Sequence, residues 1–202
     1  MMRTWDDVWK DFEGMNFWGM RLKKEQKKTI EGVLGRMLLS KDALIMDVGC
    51  GAGYCIKFFR ELGYTKTYGL DPSPNAIEVC KKLFGFTRGR DVFMEDVMQY
   101  HLSQKFDMVF SEGMLEHHAN IMPIVRQMAM LSNKWIFLIQ PNQNSFFSRV
   151  KYAVGTKEWE NEHPYNKGDY INAMKKVGFH LVRSGSLNFN EEIWMLFKKG
   201  GR

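Results

Sequence analysis

Residues 43–54 read Ala-Leu-Ile-Met-Asp-Val-Gly-Cys-Gly-Ala-Gly-Tyr, and this stretch decides the fold. Its apolar opening predicts a short buried strand of a parallel sheet. Three glycines follow at alternate positions, Gly49, Gly51 and Gly53, and a helical pattern comes next. Glycines at such a turn permit unusual backbone angles and leave room for a ligand to approach the main chain. An ordinary glycine-rich turn would share these letters, so the residues that follow have to decide between the two.

The next twenty residues continue one structural unit. Apolar residues at helical spacing between Cys55 and Leu62 predict a helix, which Gly63 ends. Thr65–Leu70 predicts a second strand, and Asp71 follows it directly. An acid at the end of the second strand, about 20 residues past the glycines, is placed to accept hydrogen bonds from ribose hydroxyls. This order of elements, strand, glycine turn, helix, strand and acid, predicts the nucleoside-binding half of an α/β domain.

At this point the sequence resembles the class I S-adenosylmethionine (SAM)-dependent methyltransferases. Asp-Val-Gly-Cys-Gly-Ala-Gly at 47–53 matches the first motif of that family, and Tyr-Gly-Leu-Asp-Pro-Ser at 68–73 matches its second. The resemblance implies a Rossmann-like α/β fold, with a seven-stranded, mostly parallel sheet and helices on both faces. It also implies SAM as methyl donor and S-adenosylhomocysteine (SAH) as product.

A dinucleotide dehydrogenase is the near competitor. Such enzymes use G-x-G-x-x-G with a pyrophosphate over the helix N-terminus, whereas the third glycine here comes one residue early. Asp47 stands directly before the glycines, where its charge would repel a pyrophosphate but suit the ammonium and sulfonium of SAM. The methyltransferase is therefore the favoured interpretation.

The resemblance also implies which residues bind the donor. Asp96 follows the third predicted strand, where family members accept a hydrogen bond from the adenine amino group and the next residue offers its amide; a turn aspartate without a ligand is the alternative. Residues from Ser111 would border the donor after the fourth strand. The predicted donor-binding residues are Asp47, Gly49, Cys50, Gly51, Gly53, Asp71, Pro72, Asp96, Val97, Ser111 and Glu112.

On the acceptor side, Leu-Glu-His at 115–117 resembles a segment of the small-molecule branch, of methyltransferase type 11 or 12. His117 is the predicted acid/base residue, and a structural histidine at a helix start is the alternative. Pro141-Asn142 also matches this branch, but Leu-Ser-Asn-Lys at 131–134 departs from its usual Lys-Pro-Gly-Gly. Further predicted substrate contacts are Trp18, His118, Trp159, Glu162, His163 and Tyr165.

Two parts of the chain are predicted. Residues 1–40 form an N-terminal helical cap, and 41–202 form the SAM-binding domain, which includes an insertion at 142–168 that covers the substrate. Four lysines of the cap, Lys23, Lys24, Lys27 and Lys28, are assigned to one helix face. A solvated face is the ordinary interpretation of such a cluster, and a nucleic-acid patch is the alternative.

Composition limits the classes of protein to which the chain can belong. The 202 residues are 45% hydrophobic and 26% charged, with a formal charge of +6, which permits an acidic partner without demanding one. No apolar run is long enough to span a bilayer, and the acidic N-terminus is unlike a signal peptide, so we expect a cytoplasmic protein. Three cysteines give neither a zinc pattern nor an even disulfide set, and no metal site is predicted.

We therefore expect methyl transfer from SAM to a small-molecule acceptor. An RNA or protein methyltransferase is the second possibility, although the chain has neither Asn-Pro-Pro-Tyr nor Asp-Pro-Pro-Tyr after the fourth predicted strand and no Pro-Cys nucleophile. A SAM-binding protein without catalytic activity is the third. The sequence leaves the acceptor and the oligomeric state open.

Overall fold

The computed structural model describes residues 5–10, 12–15, 17–100, 104–146, 149, 162–163 and 165–201. Within these ranges seven strands form one sheet in the order β3-β2-β1-β4-β5-β7-β6. The first five strands pair in parallel, and β7 runs antiparallel to both of its neighbours. The predicted seven-stranded, mostly parallel sheet is confirmed, and β6 and β7 form an antiparallel hairpin at its edge. The strands are β1 Ile45–Val48, β2 Thr67–Asp71, β3 Val92–Met94, β4 Phe106–Glu112, β5 Ser132–Pro141, β6 Phe179–Leu187 and β7 Glu192–Lys199.

Helices cover both faces of this sheet. The described helices are α1 Trp5–Lys10, α2 Phe17–Met37, α3 Tyr54–Glu61, α4 Pro74–Phe84, α5 Met122–Leu131 and α6 Lys167–Lys176, with a 3₁₀ turn at Leu115–His117. None of them combines the length and the apolar composition needed to cross a bilayer. The chain passes straight from α5 into β5, because Ser132 both ends the helix and begins the strand. That direct junction accounts for the missing Lys-Pro-Gly-Gly turn.

Two hydrophobic layers, one on each face, hold the helices to the sheet. Successive residues of a strand point to opposite faces, so the central strands contribute to both layers. Met46, Val109 and Leu138 belong to the layer under α5 and α6. The layer under α2 and α3 contains Ile45, Phe110 and Phe137. Burial on both faces explains why these strands are continuous apolar runs.

Helix α2 shares the second layer, since Ile30, Val33 and Leu34 are buried in it. The N-terminal region therefore packs against the same sheet as the rest of the chain. A domain boundary near residue 40 stays a prediction. Most of the predicted insertion at 142–168 lies outside the described residues.

The sheet order reverses between β1 and β4. β1 lies next to β2 on one side and β4 on the other, and the chain leaves these central strands toward opposite ends of the sheet. Ligands of open α/β sheets bind in the crevice beyond the carboxyl ends of the strands at such a switch point. The glycine turn follows β1 directly, so it lies in this crevice.

Gly69 of β2 lets the glycine turn and α3 lie close against the strand. A Cβ at this position would lie 2.7 Å from Cys50 Sγ and would also collide with Ile56. We expect Gly69→Ala to lower the free energy of unfolding by about 1–3 kcal/mol through overpacking. Urea unfolding measures this change.

Gly32→Ala is the matched control. Gly32 is an exposed residue of α2, and a Cβ there would have no described atom within 4 Å. The same substitution should therefore raise stability by about 0.5–1 kcal/mol, because alanine is the better helix former. Equal effects of the two variants would contradict the close approach at Gly69.

Candidate active site

A cavity of about 360 Å³ lies at the carboxyl ends of the central strands. Its size falls in the range of small-molecule pockets. The glycine turn, the ends of β2 and β4 and the 3₁₀ turn form its wall, and Trp9 and Lys23 contribute from α1 and α2. Among the predicted site residues, the cavity is lined by Asp47, Gly49, Cys50, Gly51, Asp71, Pro72, Glu112, His117 and His118.

Other predicted site residues lie away from this wall. Gly53 packs against Cys80 and Phe86 instead, and Ser111 is fully buried. Asp96 is exposed and accepts a hydrogen bond from the amide of Met98 at 2.8 Å, as a turn aspartate does. Val97, which follows it, is buried in the core.

The predicted substrate contacts of the insertion lie behind the 3₁₀ turn. The amide of His163 donates to the Glu116 carbonyl at 2.6 Å, and the Tyr165 hydroxyl donates to the His118 carbonyl at 2.8 Å. Both residues therefore support this segment from outside the cavity lining. Trp159 and the Trp18 side chain lie outside the described residues.

Hydrogen bonds from the end of β2 fix the glycine turn. The Leu70 carbonyl accepts from the amides of Gly49 at 2.8 Å and Cys50 at 3.1 Å. Asp71 Oδ2 accepts from the Gly51 amide, and Oδ1 accepts from the Ser73 amide, each at 2.9 Å. Burial raises the pKa of Asp71, and these two amide donors oppose that shift. Asp71 thus joins the turn to the start of α4.

Helix α1 closes over this turn. Asp6 Oδ1 accepts from Ser73 Oγ at 2.6 Å and from the Asn75 amide at 3.1 Å, which docks α1 on the N-terminus of α4. The Trp9 ring then covers Gly51, where a Cβ would lie only 2.7 Å from Trp9 Cζ2. No local sequence pattern predicts these contacts, because they join residues more than forty positions apart.

A buried ion pair stands at the inner end of the cavity. Lys23 pairs with Glu112, and their side chains are only 14% and 17% exposed. Gln26 Nε2 donates to Glu112 Oε1 at 2.7 Å, and the Cys55 thiol lies 3.0 Å from Glu112 Oε2. The assignment of Lys23 to the same exposed face as the other lysines was wrong: its side chain turns inward, because Glu112 supplies an opposite charge there.

Charge and burial shift the pKa values of this group in different directions. Burial acts against the charged form of Lys23, but Glu112, Cys55 and Glu192 together outweigh it and raise the pKa of Lys23. Burial would raise the pKa of Glu112, but the charge of Lys23 and the hydrogen bonds from Cys55, Lys23 and Gln26 together outweigh it and lower that pKa. Asp47 is buried and lies near Glu112, and both effects raise its pKa well above the ordinary value. A cation in the cavity would lower the pKa of Asp47 and favour its ionised form.

A second group of ionisable side chains surrounds the 3₁₀ turn. Glu116 is only 3% exposed, and its Oε1 lies 3.6 Å from His117 Nε2. Glu162 completes the group, in which one ligand atom from each residue lies within 4.8 Å of the others. Burial, with Glu162 and Glu112 nearby, raises the pKa of Glu116 to about 8. Sequence reasoning had proposed His117 and Glu162 separately but missed Glu116, which lies inside the Leu-Glu-His segment.

A sequence profile described as a methyltransferase domain matches residues 22–184. The chain belongs to the methyltransferase-domain family. This result confirms the predicted resemblance to the SAM-dependent methyltransferases. The match begins inside α2 and ends inside β6, so it includes the glycine turn, Asp71 and the 3₁₀ turn.

Curated relatives of this methyltransferase domain act on different acceptors, as their names show. The chain is 32% identical to malonyl-acyl-carrier-protein O-methyltransferase 1 of Ilyobacter polytropus over 152 residues, which cover 73% of this chain and 57% of that protein. It is 35% identical to tRNA U34 carboxymethyltransferase of Actinobacillus pleuropneumoniae over 88 residues, covering 42% of this chain and 28% of that protein. The chain thus matches between about a quarter and three fifths of the length of these relatives.

Solved structures share the fold. Magnesium protoporphyrin IX methyltransferase from Synechocystis PCC 6803 with bound SAH has a TM-score of 0.69 and 18% identity, covering 96% of this chain and 91% of that one. A SAM-dependent methyltransferase from Clostridium acetobutylicum has a TM-score of 0.72 and 13% identity, covering 89% and 92%. At these identities the similarity describes the fold alone.

Lys23→Met should destabilise the chain, because it leaves the Glu112 carboxylate without its buried counter-charge. We expect a loss of about 2–4 kcal/mol in the free energy of unfolding. Urea unfolding at neutral pH measures it. Lys24→Met, on the exposed side of the same helix, should change stability by less than about 0.5 kcal/mol.

Adding Glu112→Gln to Lys23→Met removes the Glu112 charge that Lys23→Met leaves without a partner. The double variant should therefore recover most of the loss. A Lys23→Met protein as stable as the Lys24→Met control would show that the two charges do not interact in solution.

Proposed function

We propose that this methyltransferase domain transfers the methyl group of SAM to a small-molecule acceptor and releases SAH. The observation that carries this proposal is the cavity at the switch point, which brings Asp47, the glycine turn, Asp71 and Glu112 into one wall. Each of these features suits a different part of the donor. The proposal therefore rests on their combination at one place.

The acidic residues account for recognition of the charged end of SAM. Asp47 and Glu112 present two carboxyl groups to the cavity, and Lys23 balances one of them. An ammonium and a sulfonium entering there would gain favourable interaction with the second carboxylate. The glycine turn lines the cavity and suits the methionyl part of the donor, since its glycines add no side chains of their own.

The neutral end of the donor is assigned to the end of β2. Asp71 and Pro72 line the cavity beside the glycine turn, so the ribose hydroxyls are placed against Asp71. Each Asp71 oxygen already accepts one backbone amide and retains a lone pair for a hydroxyl. Recognition of adenine by Asp96 and Val97 stays a prediction.

The reaction itself is a displacement at carbon. A nucleophilic atom of the acceptor forms a bond to the methyl carbon while the carbon–sulfur bond breaks, and the sulfonium becomes a neutral thioether. Alignment of the two reactants supplies much of the rate enhancement in such a step. Gly113, Met114, His117 and His118 line the part of the cavity formed by the 3₁₀ turn, and we assign the acceptor to that end.

A small acceptor is favoured by the enclosure of the site. Trp9 covers the glycine turn. One relative, matched over 73% of this chain, is named as an O-methyltransferase of malonyl-acyl-carrier protein, in which a small acyl group is carried on a protein. Two lysines of the α2 face are also neutralised, because Lys23 pairs with Glu112 and Lys27 with Glu61. That pairing weakens the case for a nucleic-acid patch.

An RNA acceptor is the second candidate, because several relatives are named as tRNA-modifying enzymes. The sequence pI of about 9.2 is compatible with it. Retention on heparin that falls steeply with salt, together with methylation of bulk tRNA, would favour this acceptor over a small molecule.

Calorimetry with SAM, SAH and NAD tests the donor directly. We expect SAM and SAH to bind at one site per chain and NAD not to bind, because Asp47 repels a pyrophosphate. Micromolar binding of NAD with no binding of SAM would overturn the proposed function. A labelled-methyl screen of hydroxyl, carboxyl, amine and thiol compounds then identifies the acceptor class.

Asp71→Ala should weaken SAM binding by about 2–4 kcal/mol, because charge-assisted hydrogen bonds to the ribose hydroxyls are lost. That loss corresponds to about one to three decades in Kd. Asp96→Ala is the comparison variant and should cost less, since it concerns one neutral amino group. Wild-type affinity in Asp71→Ala would place the ribose elsewhere.

A further inference from the structure

Three ligand-type side chains meet beside the acceptor end of the cavity. One atom each from Glu116, His117 and Glu162 lies within 4.8 Å of the other two. By geometry, some point lies within about 2.8 Å of all three atoms. Bonds from zinc to histidine nitrogen and carboxylate oxygen measure about 2.0–2.2 Å, so sub-ångström movements of each side chain would close a coordination sphere.

The burial of Glu116 is a second and independent observation. Glu116 is only 3% exposed, yet its Oε2 accepts no hydrogen bond from the described residues. A buried carboxyl group with an unpaired oxygen is costly, and such a group either takes up a proton or binds a cation or metal ion. The nearby Glu112 and Glu192 add further negative potential at Glu116.

We propose that Glu116, His117 and Glu162 bind one divalent cation of the Zn²⁺ or Co²⁺ class. The donor set is one imidazole nitrogen and two carboxylate oxygens, which suits these borderline metals. Mg²⁺ and Ca²⁺ are disfavoured, since they prefer oxygen ligands throughout. Three protein ligands leave at least one coordination position open, as catalytic zinc sites do.

The open position gives the cation a role in the proposed reaction, and this step rests on the proposed function. His117 and its neighbours Gly113 and Met114 line the donor cavity, so a cation held by His117 lies beside it. The acceptor class that fits is an oxygen compound, a hydroxyl or a carboxylic acid, whose oxygen binds the cation.

A bound cation would lower the pKa of a hydroxyl, whose proton would pass to water. The oxygen would then form its bond to the methyl carbon as the carbon–sulfur bond breaks. In this arrangement His117 holds the cation through its ring nitrogen and is a ligand. The acid/base role expected from the sequence would not be available to it.

Titration of the tag-free chain with Co²⁺, followed by visible absorption, tests the site without any acceptor. We expect a saturable spectrum of a low-coordinate cobalt site at one equivalent, which Zn²⁺ displaces. Glu116→Gln and Glu162→Gln should each weaken binding by at least about tenfold, the loss that even an outer-shell change causes. Glu78→Gln, on the exposed side of α4, is the matched control and should bind like wild type.

Absence of saturable binding up to about 1 mM Co²⁺, or equal binding by all three variants, would overturn the site. Glu162 is less buried than Glu116, so Glu162→Gln is the deciding variant if Glu116→Gln fails to fold. SAM calorimetry on the same samples separates the two proposals. A chain that binds SAM but not Co²⁺ refutes only the metal site, and a chain that binds Co²⁺ but not SAM refutes the proposed function.

Acetohydroxamate, a small oxygen chelator, tests the open position. Its addition to the Co²⁺-loaded chain should shift the absorption bands, because its oxygens enter the coordination sphere. An unchanged spectrum at saturating acetohydroxamate would show a closed site and overturn the acceptor role.

Discussion

Asp71 holds together the parts of the molecule on which the cavity depends. One carboxylate oxygen accepts the Gly51 amide of the turn after β1, and the other accepts the Ser73 amide at the start of α4. The adjacent Leu70 carbonyl fixes Gly49 and Cys50. These bonds keep the glycines at positive φ angles, +75° at Gly49 and +49° at Gly51, a conformation that side chains disfavour. A backbone edge without side chains therefore faces the cavity.

The N-terminal helices form the part of the cavity wall that the sheet does not supply. Asp6 docks α1 on α4, Trp9 covers the glycine turn, and Lys23 of α2 reaches Glu112 at the end of β4. The cavity consequently has a wall of sheet and turn on one side and helices on the other. Without Lys23, Glu112 and Asp47 would place two acidic groups side by side, and burial would force protons onto them. Lys23 thus sets the charge that a cationic ligand meets.

The local pattern was enough to predict the central unit. The apolar run at 43–48, the alternate glycines and the acid after β2 each follow from short-range rules, and the family resemblance implied the seven-stranded, mostly parallel sheet. The missed contacts join distant parts of the chain. Lys23 and Glu112 are 89 residues apart, and helical spacing alone placed Lys23 among solvated lysines. Glu116 was missed because no local pattern brings Glu162, 46 residues along the chain, to the 3₁₀ turn.

A crystal structure of the chain with SAH at saturating concentration tests the central claim most directly. The account predicts the ribose hydroxyls within hydrogen-bonding distance of Asp71 and the amino group beside Asp47 and Glu112. SAH bound elsewhere, or a cavity that stays closed to it at saturation, would contradict the account.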